Sequence, residues 1–225
     1  MGKNKLKRFA ENRTFENVFQ PNREEMISGF DMKGKWNKEF FRNDNPIVLE
    51  LGCGKGEYTV ALAEKFPGKN FIGIDIKGAR FWRGAKTALE ERLNNVAFLR
   101  TQIELIDYAF AKDEVSEIWI TFPDPQIKLR RTKHRLTHPD FLKKYHKILN
   151  RDGIIHLKTD SEFLHGYTHG IIQLENHKVL ISNHNVYHPD NKEIPEEITS
   201  VQTFYEKKFL EKNKNITYIR FSLNY

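Results

Sequence analysis

The pattern of apolar and polar positions changes at residue 46. Before it the chain is polar and mixed in charge, with Phe15, Phe19, Phe30, Trp36, Phe40 and Phe41 scattered at no clear period. Residues 1–45 are therefore expected to form a basic, partly helical arm ahead of a domain over 46–225. From there, short apolar runs alternate with segments of helical spacing. Residues 47–51 (IVLEL), 70–75 (NFIGID), 96–100 (VAFLR), 116–122 (SEIWITF), 153–159 (GIIHLKT) and 178–187 predict strands. Between them 57–66, 77–93, 103–111 and 161–175 predict helices, and Thr137 is placed as the cap of a helix reaching Leu149. Pro67-Gly68 marks a turn. Strand and helix at this spacing mean βαβ units, hence an α/β fold whose parallel sheet is covered on both faces. The tail breaks the alternation, with a helical pattern at 201–212 and a strand at 216–223 (ITYIRFSL).

A chain of 225 residues is long enough to bury its own core. Its 37 Lys and Arg outnumber 30 Asp and Glu, a net charge of +7. The distribution matters more than the total. Residues 124–151 carry nine Lys or Arg against two acids, so this stretch alone matches the net charge of the whole chain. Such a concentration is the footprint of a phosphate-binding face. Cys53 is the only cysteine, which leaves no disulfide framework and points to a reducing compartment. No apolar run approaches the ~18 residues of a membrane span. The opening MGKNKLKRF lacks the apolar core of a signal peptide, and Leu6 stands where a myristoylation site needs Ser or Thr. A soluble, cytoplasmic protein is expected, with neither membrane nor metal as a partner.

Open α/β sheets hold ligands beyond the carboxyl ends of their strands. There the first long strand runs into Glu50-Leu51-Gly52-Cys53-Gly54-Lys55-Gly56. The glycines let the backbone turn tightly and approach a ligand closely. A dinucleotide fingerprint, G-x-G-x-x-G, brings a helix N-terminus onto a pyrophosphate. Here the third glycine comes one residue early, and Glu50 directly precedes the loop. That carboxylate repels a pyrophosphate and favours a cation. S-adenosylmethionine, with its sulfonium and ammonium, suits the loop better, and Asp75 at the next strand end is placed to accept from both ribose hydroxyls. A glycine-rich turn in an unrelated α/β fold is the alternative reading.

A second motif, TFPDPQIKLRRTKHR at 121–135, sets Asp124 between Pro123 and Pro125, followed by Lys128, Arg130, Arg131, Lys133 and Arg135. The prolines restrict the backbone about the carboxylate. The cations suit phosphates, contacts that position rather than specify.

Together with ELGCGKGE, GIDIK, Thr159-Asp160 and Thr203-Phe204-Tyr205-Glu206, this segment resembles the bacterial tRNA (guanine-N7)-methyltransferase family of class I methyltransferases, over about residues 45–223. The resemblance implies a Rossmann-like, mostly parallel seven-stranded sheet with an antiparallel C-terminal strand. It implies S-adenosylmethionine as cofactor and tRNA as substrate, methylated at N7 of guanine 46 in the variable loop. It further implies that Glu50, Gly52, Gly54, Gly56 and Asp75 hold the cofactor, with Gln102 as the match after the third strand. Asp124 is implied between cofactor and guanine, as the catalytic residue. Lys128, Asp160, Thr203, Phe204, Tyr205 and Glu206 match the substrate contacts, and Arg130, Arg131, Lys133 and Arg135 are expected on the tRNA backbone. The family has Trp-His where this chain has Gln126-Ile127. A monomer or a homodimer is expected.

Guanine N7 has an in-plane lone pair and no proton, so its attack on a sulfonium methyl needs no base. Alignment then supplies most of the rate, up to ~7–11 kcal/mol in favourable cases. Asp124, aided by Asp160 and Glu206, is placed to accept N1–H and N2–H and to stabilise the cationic product ring.

Other features carry less. Lys143, Lys144 and Lys147 read as the wet face of a helix. His165 and His169 have a metal-ligand spacing but no third ligand nearby in sequence, and read as surface histidines. Cys53 reads as packing, and Trp82, Trp119 and Tyr218 as core. FPDP differs in order from the (D/N)PP(F/Y) motif that grips an amino group, which argues against adenine N6 or cytosine N4 as target. Two competing readings share these residues: a small-molecule methyltransferase with an incidentally basic loop, and a non-catalytic tRNA-binding protein with a vestigial cofactor pocket.

Overall fold

Strand periodicity sorts the core onto the two faces of one sheet. The computed structural model describes residues 2–191 and 194–224, leaving aside the side chains of residues 2–4 and 204. The chain runs α1 (Gly2–Asn12), β1 (Val18–Phe19), α2 (Arg23–Gly29), a π-helical turn (Trp36–Phe41), β2 (Ile47–Leu51), α3 (Glu57–Lys65) and β3 (Asn70–Ile74). It continues with α4 (Gly78–Glu90), β4 (Val96–Leu99), α5 (Ile106–Ala109), β5 (Val115–Thr121), a 3-10 segment (Leu129–His134), α6 (Pro139–Ile148) and β6 (Leu149–Thr159). Last come α7 (Glu162–Leu174), β7 (Lys178–Asn183), α8 (Glu196–Thr199), α9 (Phe204–Leu210) and β8 (Thr217–Ser222).

Alternate residues of each strand face opposite sides. Ile47, Leu49 and Leu51 of β2 join one buried cluster with Ile72, Ile74, Ala97, Leu99, Ile118 and Ile120. Val48 joins the other, with Phe71, Phe98 and Trp119 and with Val60 and Leu62 of α3. Glu50 is in phase with Val48, so the same periodicity aims its carboxylate at α3.

The strand order is β1-β4-β3-β2-β5-β6-β8-β7, parallel throughout except for β8, which runs antiparallel to β6 and β7. The seven expected strands are present, and two-residue β1 adds an eighth beside β4. The chain builds outward from β2 through β3 and β4 and then returns to β5 on the other side of β2. That reversal opens a crevice at the carboxyl ends of β2 and β5.

Residues 15–41 pack on this same sheet. Trp36 is fully buried, donates Nε1–H to the Ala109 carbonyl at 3.2 Å, and meets Phe19 edge-on with ring centroids 4.8 Å apart. Further back, α1 lies on α4, where Trp82 sits under Arg8 at 4.7 Å and bonds to Glu11. Trp82 is thus half-buried in a helix–helix contact, a correction to its expected place in the core, whereas Trp119 and Tyr218 are buried there.

Four other local expectations change. His138, and not Thr137, caps α6, accepting from the Asp140 N–H; Thr137 is buried and bonds to Thr168 at 2.8 Å. Strand β6 begins four residues early, at Leu149. His165 is buried and not a surface group. Lys144 and Lys147 both pair with Asp107, at 2.9 and 3.0 Å, so they tie α6 to α5. Among the described residues no helix is long and apolar enough to cross a membrane.

Candidate functional site

At the crevice a cavity of about 670 Å³ opens, with Glu50, Gly52, Cys53, Gly54 and Thr121 in its wall. The loop after β2 depends on glycine conformations: φ is 76° at Gly52, 57° at Gly54 and 75° at Gly56. Side chains rarely adopt this left-handed region. At Gly56 space forbids one as well, since an added Cβ would lie 2.5 Å from Phe98. The N–H groups of Gly52 and Cys53 hang the loop on the Ile74 carbonyl, at 2.8 and 3.1 Å. Asp75, one residue further along, accepts from Gly54 N–H at 3.1 Å and Lys77 N–H at 2.7 Å. Its carboxylate therefore fixes the loop, and Asp75 is not among the cavity-lining residues.

Glu50 is 5% exposed. One carboxylate oxygen accepts from Thr121 Oγ1 at 2.6 Å, the other from Thr59 Oγ1 of α3. Burial pushes its pKa up to about 7, although the two hydroxyls oppose the shift. Burial also pushes the Cys53 thiol well up, with Glu50 and Asp75 adding to it, so Cys53 is a packing group.

The loop after β5 is bent hard around Asp124. Phe122 N–H still bonds to the Lys158 carbonyl at 2.8 Å, after which Phe122 (φ 46°) and Gln126 (φ 48°) are both left-handed. Strain of this kind costs about 1–3 kcal/mol per residue and persists only where surroundings impose it. They do so here. Asp124 Oδ1 accepts from Gln126 N–H at 3.0 Å, and Arg135 donates twice to the Gln126 carbonyl, at 3.2 and 3.1 Å. Arg131 reaches the Gln126 side chain at 3.1 Å. The exposed Asp124 lines both the cavity and a neighbouring groove walled by Lys128, Arg130, Arg131 and His134.

A family model described as a putative methyltransferase matches residues 44–219. The tRNA (guanine-N(7)-)-methyltransferase of Christiangramia forsetii is 67% identical over 222 residues, 98% of each chain. That of Bacteroides fragilis is 52% identical over 224 residues, 99% of this chain and 87% of the relative. The chain belongs to the tRNA (guanine-N7)-methyltransferase family. Similar solved structures include the 16S rRNA methyltransferase KamB, with TM-score 0.64 at 14% identity over 84% of this chain and 92% of that one. Another is a SAM-dependent methyltransferase from Aquifex aeolicus, with TM-score 0.52 at 15% identity over 94% and 96%. At such identities the likeness is one of fold.

Of the positions that match the family's motifs, the structure gathers Glu50, Gly52, Gly54, Asp124, Asp160, Thr203 and Tyr205 around the one cavity. Asp160 is held by Lys214 at 2.9 Å. Thr203 caps α9 and shares a capping box with Glu206. The side chain of Phe204 lies outside the described residues.

Several positions fall elsewhere. Gln102 accepts from Arg23 at 3.1 Å and does not line the cavity. Glu206 has no exposed surface; Lys158 Nζ lies 2.6 Å from its carboxylate and the Tyr187 hydroxyl donates to it at 2.6 Å. In this structure Glu206, expected as a substrate contact, is an internal tie. Arg135, expected on the tRNA backbone, is 5% exposed, with its guanidinium turned inward over Phe163 and Tyr167. Lys133 is exposed but lies outside the Asp124 groove.

Sequence reasoning missed Tyr58, Arg80, Phe209 and Lys214 in the cavity wall. Each lies in or beside a helix, where nothing local marks it. Gln126 and Ile127 acquire a clear place: Gln126 anchors the bend, and Ile127 stands 67% exposed at the mouth shared by cavity and groove.

Proposed function

We propose that this protein transfers a methyl group from S-adenosylmethionine to N7 of a guanine in tRNA, guanine 46 of the variable loop, in the cytoplasm. The observation that carries the reading is Asp124, the acid common to a cavity of cofactor size and a groove walled by Lys128, Arg130 and Arg131. The relatives' names and the FPDP and T-x-Y-E motifs support the substrate, and the resemblance alone supplies position 46.

The residues present fit the cofactor. The donor set offers a buried carboxylate at Glu50, a backbone loop free of side chains at Gly52 and Gly54, and the Asp75 carboxylate behind it. S-adenosylmethionine supplies an electrophilic methyl group on a positively charged sulfur. Glu50 provides the compensating negative charge, and the left-handed glycines let main-chain groups come close. Asp124 and Asp160 accept from the guanine edge and face the charge that develops on its ring, where a preset acceptor needs no reorganisation. Lys128, Arg130 and Arg131 bind phosphate and set the register of the polynucleotide. No residue is required as a base.

The test is to incubate the protein with labelled cofactor and tRNA and to map the modified nucleotide. N7-methylguanosine at position 46, lost when that guanine is replaced by adenine, is the expected result. Label at another nucleotide, or binding of tRNA without transfer, overturns the proposal.

Reversing Lys128, Arg130 and Arg131 to Glu is expected to raise the tRNA KM and flatten its salt dependence. Each lost phosphate contact removes about 0.7–0.9 from the slope of log K against log salt. A small-molecule enzyme would show no such slope in either form, so titrating KM against salt distinguishes the two.

Cofactor binding should also depend on pH. Glu50 is neutral below its pKa of about 7 and anionic above it, and a cationic ligand selects the anion. The cofactor Kd should therefore rise as pH falls through 7 toward 5.5, approaching about tenfold per unit. In Glu50→Gln the Kd should be weak and flat over the same window. A wild-type Kd that does not change there excludes the assignment.

A further inference from the structure

Helix α7 opens directly behind the cavity, following Asp160 and Ser161 in its wall. Glu162 stands in its first turn and His165 lies three residues on, so both face the same way. Strand β7 ends at Asn183, and the next residue, His184, comes to lie against that face. Its Nδ1 is 3.0 Å from Glu162 Oε2, and its ring centroid is 4.3 Å from that of His165. One ligand atom from each of the three residues falls within 4.8 Å of the other two. His169, the partner suggested by spacing, turns instead to Ser182 at 2.7 Å.

His165 is the independent sign that this is more than a surface network. It is 0% exposed, and neither ring nitrogen makes a well-formed hydrogen bond, although the Tyr218 main chain lies close enough to favour protonation. A buried polar group left in this state calls for a partner. A neutral imidazole has a lone pair to offer, which is the form that binds metal.

We propose that Glu162, His165 and His184 form a binding site for a dication of the zinc class, built from two imidazoles and one carboxylate. This donor set suits zinc, cobalt or nickel better than the oxygen-seeking magnesium or calcium. A tetrahedral ion with bonds of about 2.0–2.1 Å spaces its ligand atoms roughly 3.3 Å apart. Glu162 and His184 are exposed, so they can close the remaining gap by rotation and leave the ion a route from solvent. The buried His165 supplies the fixed ligand.

The site lies apart from the methyl-transfer groups. It joins the start of α7, beside Asp160 and Ser161 in the cavity wall, to the end of β7. The ion acts as a clamp between these two elements and takes no part in the chemistry.

The test uses the full chain, without a histidine tag and stripped of metal, titrated with Zn²⁺ by calorimetry and with Co²⁺ by visible absorption. One ion per chain, the intense band of tetrahedral Co²⁺ and a Tm raised by Zn²⁺ are expected. Glu162→Gln and His184→Ala, both at exposed positions, should leave the metal-free Tm unchanged and weaken Zn²⁺ binding by at least about tenfold. No uptake at micromolar Zn²⁺, or uptake that both variants retain in full, overturns the assignment. Neither readout depends on methyl transfer, so the result stands whichever nucleic acid is the substrate.

Discussion

Asp124→Ala is expected to lower kcat by about 10²–10³-fold or more while cofactor affinity stays near that of the unaltered protein. Asp124 gives the loop a single hydrogen bond, to Gln126 N–H at 3.0 Å. The bend itself is held by Pro123, Pro125 and the paired donation from Arg135 to the Gln126 carbonyl. Truncation should therefore spare the fold, the glycine loop and Glu50. What it removes is the carboxylate at the junction of cavity and groove, the place where a guanine edge would meet it. Asp124→Asn keeps an acceptor for Gln126 N–H and loses the charge, so its kcat should fall between the two. Single-turnover methylation with saturating tRNA separates this from a binding defect. A rate for the alanine variant within a few-fold of normal ends the case for Asp124.

Lys158→Ala should be the most destabilising single change. Its side chain has no exposed surface, and neither has that of Glu206, 2.6 Å away. Lys158 also donates to the Ile198 and Val201 carbonyls and lies against the rings of Tyr58 and Tyr187, at 5.6 and 5.8 Å. Burial pulls the lysine pKa down and Glu206 draws it back. Removing the cation leaves a carboxylate in the interior with, among the described residues, the Tyr187 hydroxyl and the Thr203 N–H as its remaining partners. Breaking a buried pair on one side costs about 3–5 kcal/mol. For a chain of this size that lowers Tm by about 6–20 °C. Replacing both partners with apolar groups, Lys158→Met with Glu206→Leu, should recover part of the loss, because no bare charge remains. Calorimetric Tm values for the single and double variants decide it. An unchanged Tm in Lys158→Ala would exclude this buried pair as a major source of stability.

Both cases turn on the difference between local and distant information. The glycine loop was legible because its requirement is local: left-handed φ at Gly52, Gly54 and Gly56 belongs to the backbone of those residues. The strands were legible for the same reason, as period-two runs punctuated by glycine and proline. Glu50 at the tip of one strand and Asp124 after another follow once a parallel sheet is assumed, because such a sheet gathers its carboxyl ends. The basic run after Asp124 was legible only as a sum of charge. Lys128 and Arg135 look alike in sequence, yet the 3-10 turn over Leu129–His134 directs Arg135 inward. A 3-10 helix brings every third residue to one side, and composition cannot say which side is buried.

Pairings across long separations were not legible at all. Glu206 meets Lys158 across 48 positions, and His184 meets His165 only because β7 returns beside α7. Trp36 finds its place on the sheet through Ala109 and Phe110, far along the chain. Sequence alone thus determined the fold class, the phosphate-seeking charge and the two loops that present carboxylates, since each is written in adjacent residues. Tertiary structure alone decided which polar groups face the cavity and which hold its walls from within. That choice depends on burial, and burial exists only once distant segments have packed.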